Sequence, residues 1–106
     1  MLIIYTGNGK GKTTASLGMA LRSAGWGRQV CILQFVKQES WPEGARLSIR
    51  NHLSKNIEIA ALGSGFVGIM GDTKPREIHE KKAQKAIQTA IEKITSGKFD
   101  LIIIDE

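Results

Sequence analysis

Apolar residues along the chain fall into four short runs, separated by stretches in which they recur at helical spacing. Residues 2–6, LIIYT, are β-branched and aromatic up to a glycine, which predicts a short buried strand. From Thr13 to about Ala24 the period changes: Leu17, Ala20, Leu21 and Ala24 recur at i, i+3, i+4 and i+7, one face of a helix that Gly25 and Gly27 terminate. QVCILQFV at 29–36 predicts a second strand, and KQESWPEG is a loop broken by Pro42. A short helix is expected from Gly44 to Leu53 and a third strand, IEIAAL, at 57–62.

The stretch GSGFVGIMGDTKP that follows carries four glycines and one proline, the composition of a long loop. Pro75 suits the first turn of the next helix, on which Ala83, Ala86, Ile87, Ala90, Ile91 and Ile94 make an apolar stripe opposite a solvated face of Lys, Gln and Glu. Gly97 stops it. FDLIIIDE at 99–106 predicts a fourth strand with a fully buried apolar centre. Strands alternating with helices imply an α/β fold: a parallel β-sheet with right-handed crossovers and flanking helices on both faces. Glu106 directly follows a strand that should be central, so the expectation is either one domain over 1–106 that is a truncated form of a longer one, or a sheet completed by a partner.

Composition narrows the partners. At 106 residues, 42% hydrophobic and 24% charged, the chain is one soluble globular domain with enough apolar content for a core. A net charge of +5 favours anionic ligands. The Lys and Arg are scattered, and there is no basic–aromatic interleaving of the kind nucleic-acid modules show, so a nucleotide is expected and nucleic acid is not. Cys31, the only cysteine, lies within an apolar run and reads as a buried small hydrophobe. With no run approaching the ~18–20 residues that span a bilayer and no secretory leader pattern, no membrane is involved and the expected location is the cytoplasm. His52 and His79 lack metal-ligand spacing with Cys31 or each other and read as ordinary residues.

The chemistry is concentrated at 7–14, GNGKGKTT, between the first strand and the first helix. In the usual spacing G-x-x-x-x-G-K-[ST] a glycine would stand at position 6; here Thr6 does, and Gly7 follows one residue later. Gly7, Gly9 and Gly11 allow backbone N–H groups to curl inward into an anion-binding nest, and the helix behind them aims its positive end at the same point. Lys12 is then placed to neutralise β- and γ-phosphate charge, Lys10 to add a cation at the mouth, and the Thr13 hydroxyl to ligate Mg²⁺. The fold class is therefore P-loop NTPase, of the RecA-like type. Asp105 and Glu106 end the fourth strand at the same sheet edge, where an acidic residue of a P-loop protein binds the metal directly or through water.

With these segments quoted, a resemblance becomes specific. YTGNGKGKTTASLGMALRSAGWG, VCILQFVK, GSGFVG and FDLIIIDE resemble successive motifs of the P-loop ATP:corrinoid adenosyltransferases, also called cob(I)alamin adenosyltransferases, over essentially the whole chain. The resemblance implies that a corrinoid reduced to cobalt(I) attacks the 5′ carbon of ATP, forming a cobalt–carbon bond and expelling tripolyphosphate. By position it implies that Gly7, Asn8, Gly9, Lys10, Gly11, Lys12, Thr13 and Thr14 hold the triphosphate, with Lys10, Lys12 and Thr13 catalytic. Thr13 and Glu106 would ligate Mg²⁺ with Asp105 in support, and Phe66 would cover the corrinoid. It further implies an electron donor that reduces cobalt, and a homodimer.

Gln34, Phe35 and Lys37 lie at the ligand-binding edge with roles left open. Two departures stand out: Gly68 occupies the place where much of the family has a tryptophan, with Trp26 and Trp41 elsewhere, and family members usually continue well beyond the DE pair, many after an N-terminal extension. The alternatives are a P-loop ATPase releasing ADP and phosphate, with Glu106 orienting water, and a non-catalytic nucleotide-binding fragment.

Overall fold

The β-branched runs share one sheet because each buries a row of side chains that no isolated strand could shield. The computed structural model describes residues 1–6, 10–35, 43–63 and 76–105, with side chains of the last helix described from Glu80. The strands are β1 (Leu2–Tyr5), β2 (Val30–Gln34), β3 (Ile57–Ala61) and β4 (Leu101–Asp105). Every pairing is parallel and the order is β1-β4-β2-β3, so β4 is central, as expected.

The helices are α1 (Lys12–Gly25), α2 (Gly44–Ser48) and α3 (Arg76–Thr95). The expected helix over 44–53 is present in extent, but its second half, Ile49–Leu53, widens into a π-helical turn. Arg50 braces that turn by donating to the carbonyl of Ile59 at 2.9 Å. At the end of α1, Gly27 adopts φ 78°, a left-handed conformation that favours glycine, and its N–H bonds the carbonyl of Ala24 at 2.9 Å.

Period-two alternation sends each strand's side chains to two cores. On one face Val30, Ile32, Ile57, Ile59, Leu101 and Ile103 meet Ala20 of α1 and Ile49 of the π turn. On the other, Cys31, Leu33 and Ile102 meet Ala90 of α3. Helices thus flank both faces.

Two expectations about burial are corrected. β1 is not a buried strand: Leu2 and Ile4 are 45% and 58% exposed, because among the described residues β1 pairs only with β4 and no helix covers that part of the sheet. The apolar stripe of α3 is buried only at Ala86 and Ala90; Ala83 is exposed, as are Ile87, Ile91 and Ile94 on the helix flank turned away from the core. Leu21 on α1 is exposed for the same reason, its neighbour Ala20 taking the buried position. Shielding is complete only where the sheet has neighbours on both sides.

Cys31 is fully buried, and its thiol donates to the Glu58 carboxylate at 3.8 Å. Burial first, and the negative charge of Glu58 second, push its pKa from 9.0 up to about 12. Lys93 is raised as well, chiefly through its hydrogen bond with Glu58. Both shifts have the same sign in stability: the folded protein holds these protons more tightly, so their contribution is complete below the unfolded pKa and is lost as pH rises.

Two outcomes follow from this core. Stability should fall as pH rises from 9.0 towards 12, with Lys93 adding to the loss above 10.5. Urea midpoints at about pH 8 and about pH 10 should therefore differ more for the native sequence than for Cys31→Ala. Ile103, fully buried in the central strand, should cost about 2–5 kcal/mol on substitution by Ala, read from the same denaturation curves.

Candidate anion and metal site at the strand ends

Parallel pairing sets the last residues of the strands level with one another. Asp105 stands opposite Tyr5 on one side and Gln34 on the other, and Gln34 opposite Ala61. Open parallel sheets take ligands at this carboxyl edge. The N-terminus of α1 arrives at the same edge, because the chain leaves β1 at Tyr5 and re-enters helix at Lys12.

Gly11 makes that entry possible. It sits at the N-cap with φ 93°, and its carbonyl accepts the first helical bond from Ala15 N–H at 2.9 Å. Gly11 has no side chain to cap the helix, and no acidic residue lies in its first turn. Amide donors and the positive end of the helix dipole are therefore presented without a competing carboxylate of the helix itself. Lys12 and Thr13 are half-buried in this first turn, whereas Lys10 is exposed at its mouth.

The best-defined contact is between Thr13 and Asp105. The Thr13 hydroxyl donates to Asp105 Oδ2 at 2.7 Å, tying the start of α1 to the end of β4, and Asp105 is 4% exposed. Behind it the buried Ser16 hydroxyl returns a bond to the Thr13 carbonyl at 2.8 Å. A hydroxyl and a carboxylate side by side are hard oxygen donors that fit Mg²⁺, a cation that keeps several waters and takes only one or two carboxylates beside phosphate oxygens. Among the described residues no cluster of three or more His, Cys, Asp or Glu could hold a metal by itself. The donor set thus suits a metal shared with a phosphate ligand.

Of the residues singled out from the sequence, the structure brings Lys10, Gly11, Lys12, Thr13, Thr14 and Asp105 to this edge, with Gln34, which ends β2, and Phe35 after it beside them. Gly7, Asn8, Gly9, Lys37, Phe66, Gly68 and Glu106 lie outside the described residues. His52 is exposed, as expected. Trp26 is 82% exposed and lines a cavity of about 440 Å³ with Met1, Met19 and Asp100, at the opposite end of the strands from Thr13. That hollow is separate from the candidate anion site.

Arg46 is a residue that motif reasoning did not find. It is 3% exposed, donates to Gln34 Oε1 at 3.3 Å, and lies 3.6 Å from the Glu43 carboxylate. Its signal was present: Arg46, Ile49 and Leu53 stand at i, i+3 and i+7, which puts a charged side chain on the buried stripe of a helix.

Comparison of the whole chain with known proteins gives one family. The family model described as ATP:corrinoid adenosyltransferase BtuR/CobO/CobP matches residues 1–106. The corrinoid adenosyltransferase of Escherichia coli K12 is 35% identical over the whole chain, which covers 50% of that protein. Corrinoid adenosyltransferase CobA of Salmonella typhimurium LT2 is 33% identical, and the Pseudomonas aeruginosa enzyme 28%, each again with 50% of the relative covered. The chain spans about half the length of the curated relatives it matches.

Lys12→Ala is expected to weaken binding of a triphosphate at least about tenfold, the scale of one hydrogen bond to a charged group. Calorimetric titration of both proteins with tripolyphosphate would measure it, and equal affinities would remove Lys12 from the site.

Proposed function

This chain belongs to the ATP:corrinoid adenosyltransferase family, and from that membership we propose that it binds Mg-ATP at the carboxyl edge of its sheet and serves transfer of the 5′-deoxyadenosyl group to a reduced corrinoid. The observation that carries the reading is the Thr13–Asp105 bond at the N-terminus of α1, which joins the two motif ends at one point. Lys10, Lys12 and Thr13, with Gly7 to Thr14 around them, are assigned to the triphosphate. Thr13 and Glu106 are assigned to Mg²⁺ with Asp105 in support, and Phe66 to the corrinoid side.

The chemistry explains why such a site is useful. Cobalt(I) of the substrate donates an electron pair to the ribose C5′; a cobalt–carbon bond forms, the C5′–O bond breaks, and its electron pair leaves with tripolyphosphate while cobalt becomes formally cobalt(III). Negative charge therefore develops on the oxygen of a leaving group that already carries three phosphoryl units. Donors preorganised around it lower the barrier without reorganising during the step, and the amides of the α1 N-terminus, Lys12 and Lys10 supply them. When bound, Mg²⁺ adds Lewis-acid neutralisation of the same phosphate oxygens. Because Asp105 accepts the Thr13 hydroxyl hydrogen, a bound Mg²⁺ would meet the oxygen of Thr13 rather than its hydrogen.

Residues 1–106 are read as one P-loop nucleotide-binding domain of a longer active unit. The exposed Leu2 and Ile4 of β1, which has a neighbour on one side only among the described strands, and Ile87, Ile91 and Ile94 of α3 support this, since they are the apolar surfaces that a further strand and helix would cover. The reading includes an electron donor for cobalt, a homodimer, and a cytoplasmic location where ATP is available. Among the described residues no helix is long and apolar enough to cross a membrane.

Anaerobic ³¹P NMR after mixing the protein with Mg-ATP and chemically reduced cobalamin tests the reaction. Tripolyphosphate is the expected product; ADP with phosphate would replace the reading by an ATPase, and unchanged ATP by a binding domain. Asp105→Asn should preserve the fold, because the Asn carbonyl oxygen still accepts from Thr13, but should weaken the Mg²⁺ dependence of ATP binding severalfold. Titration with and without the metal measures that ratio.

A further inference from the structure

At the end of β2 one polar side chain is both fully buried and incompletely satisfied. Gln34 is 0% exposed. Its carboxamide oxygen accepts from Arg46 Nη1 at 3.3 Å, and since a guanidinium can only donate, that contact fixes which end of the amide is oxygen. Gln34 Nε2, on the other side of the same planar group, has no hydrogen-bond partner among the described residues. A shielded donor without an acceptor destabilises a fold, so such groups call for an explanation.

Position supplies one. Val30 and Ile32 face the α1 side of the sheet, so by period two Gln34 faces it as well. Its register partner on β4 is Asp105, whose carboxylate holds Thr13 at the start of α1. The unused donor is therefore one strand away from the Thr13–Asp105 pair, on the same face and at the same level. Arg46 is itself 3% exposed and its charge is countered by Glu43 at 3.6 Å, so the amide is held by a buried, neutralised cation.

We propose that Gln34 is a ligand-contacting residue whose Nε2 donates to an oxygen of the bound triphosphate, and that Arg46 is a positioning residue that keeps the amide turned for this donation. The inference rests on the triphosphate reading of the site and adds to it a donor from β2. Ligand binding then satisfies the end of the amide that has no partner among the described residues. By donating to the side-chain oxygen, Arg46 leaves Nε2 as the end of the amide turned to the ligand, and an N–H donor selects an acceptor.

Gln34→Glu separates this role from a structural one. The carboxylate keeps, and strengthens, the contact with Arg46 while converting the donor into an acceptor, so the melting temperature without ligand should be unchanged or higher. Affinity for Mg-tripolyphosphate and for Mg-ATP, measured by calorimetry, should fall about ten- to a hundredfold, the factor for one hydrogen bond to a charged group. Gln34→Met, which removes the donor without adding charge, should show a loss of the same order. Arg46→Met should weaken binding severalfold, and Arg46→Lys should recover most of it.

Wild-type affinity in Gln34→Met would overturn the proposal, assigning any loss in Gln34→Glu to charge repulsion. Unchanged affinity in both variants with a lowered melting temperature would place the donor in the fold. An unmutated protein that binds neither ligand would overturn the triphosphate reading and this inference together, whereas binding by that protein with no change in the variants overturns this inference alone.

Discussion

The position of β4 between β1 and β2 is the constraint on which the site depends. Parallel pairing on both sides brings Asp105 level with Tyr5 and with Gln34. Because the chain turns from β1 directly into α1, the same register also delivers Thr13 to Asp105 at 2.7 Å. Moving β4 by one residue would turn Asp105 to the α3 face and away from α1, since side chains alternate along a strand. A carboxylate contributed by the last described strand thus meets a hydroxyl contributed by the first helix, 92 positions apart.

The core that enforces this register is unequal on its two sides. Around β2 and β4 the strands are shielded from both faces, and Val30, Cys31, Ile32, Leu33 and Ile103 are all fully buried. At β1 one face is open, although its sequence is as apolar as that of the others. Rigidity is therefore supplied where Asp105 and Gln34 are held, while the flank beyond β1 carries apolar groups in contact with solvent. The buried Gln34–Arg46–Glu43 group belongs to the rigid part, and a polar network in such a setting holds orientation because breaking any member leaves another unsatisfied.

Much of this was legible in the chain itself, and particular residues show why. The four apolar runs became the four strands with boundaries shifted by one or two residues, since β-branched density and flanking glycines are local properties. Gly11, Lys12 and Thr13 were readable because the P-loop pattern is contiguous, and so was Asp105, because a strand ending in a carboxylate at the P-loop edge needs only the parallel topology. Ile4, Ile87 and Ile91 were misread as buried. Periodicity tells which residues share a face, and says nothing of whether another element covers that face.

By itself, then, the sequence determined the order and type of the elements, the contiguous glycine- and lysine-rich P-loop pattern, and membership of a family whose model matches residues 1–106. Local backbone preference and contiguous motifs are sufficient for those. Only the tertiary structure decided that Asp105 receives the Thr13 hydroxyl, that β1 lies at an edge, and that Arg46 meets Gln34 across twelve residues of chain. These are contacts between different elements, set by strand order and by which faces pack together, and no single motif or periodic stretch contains both partners.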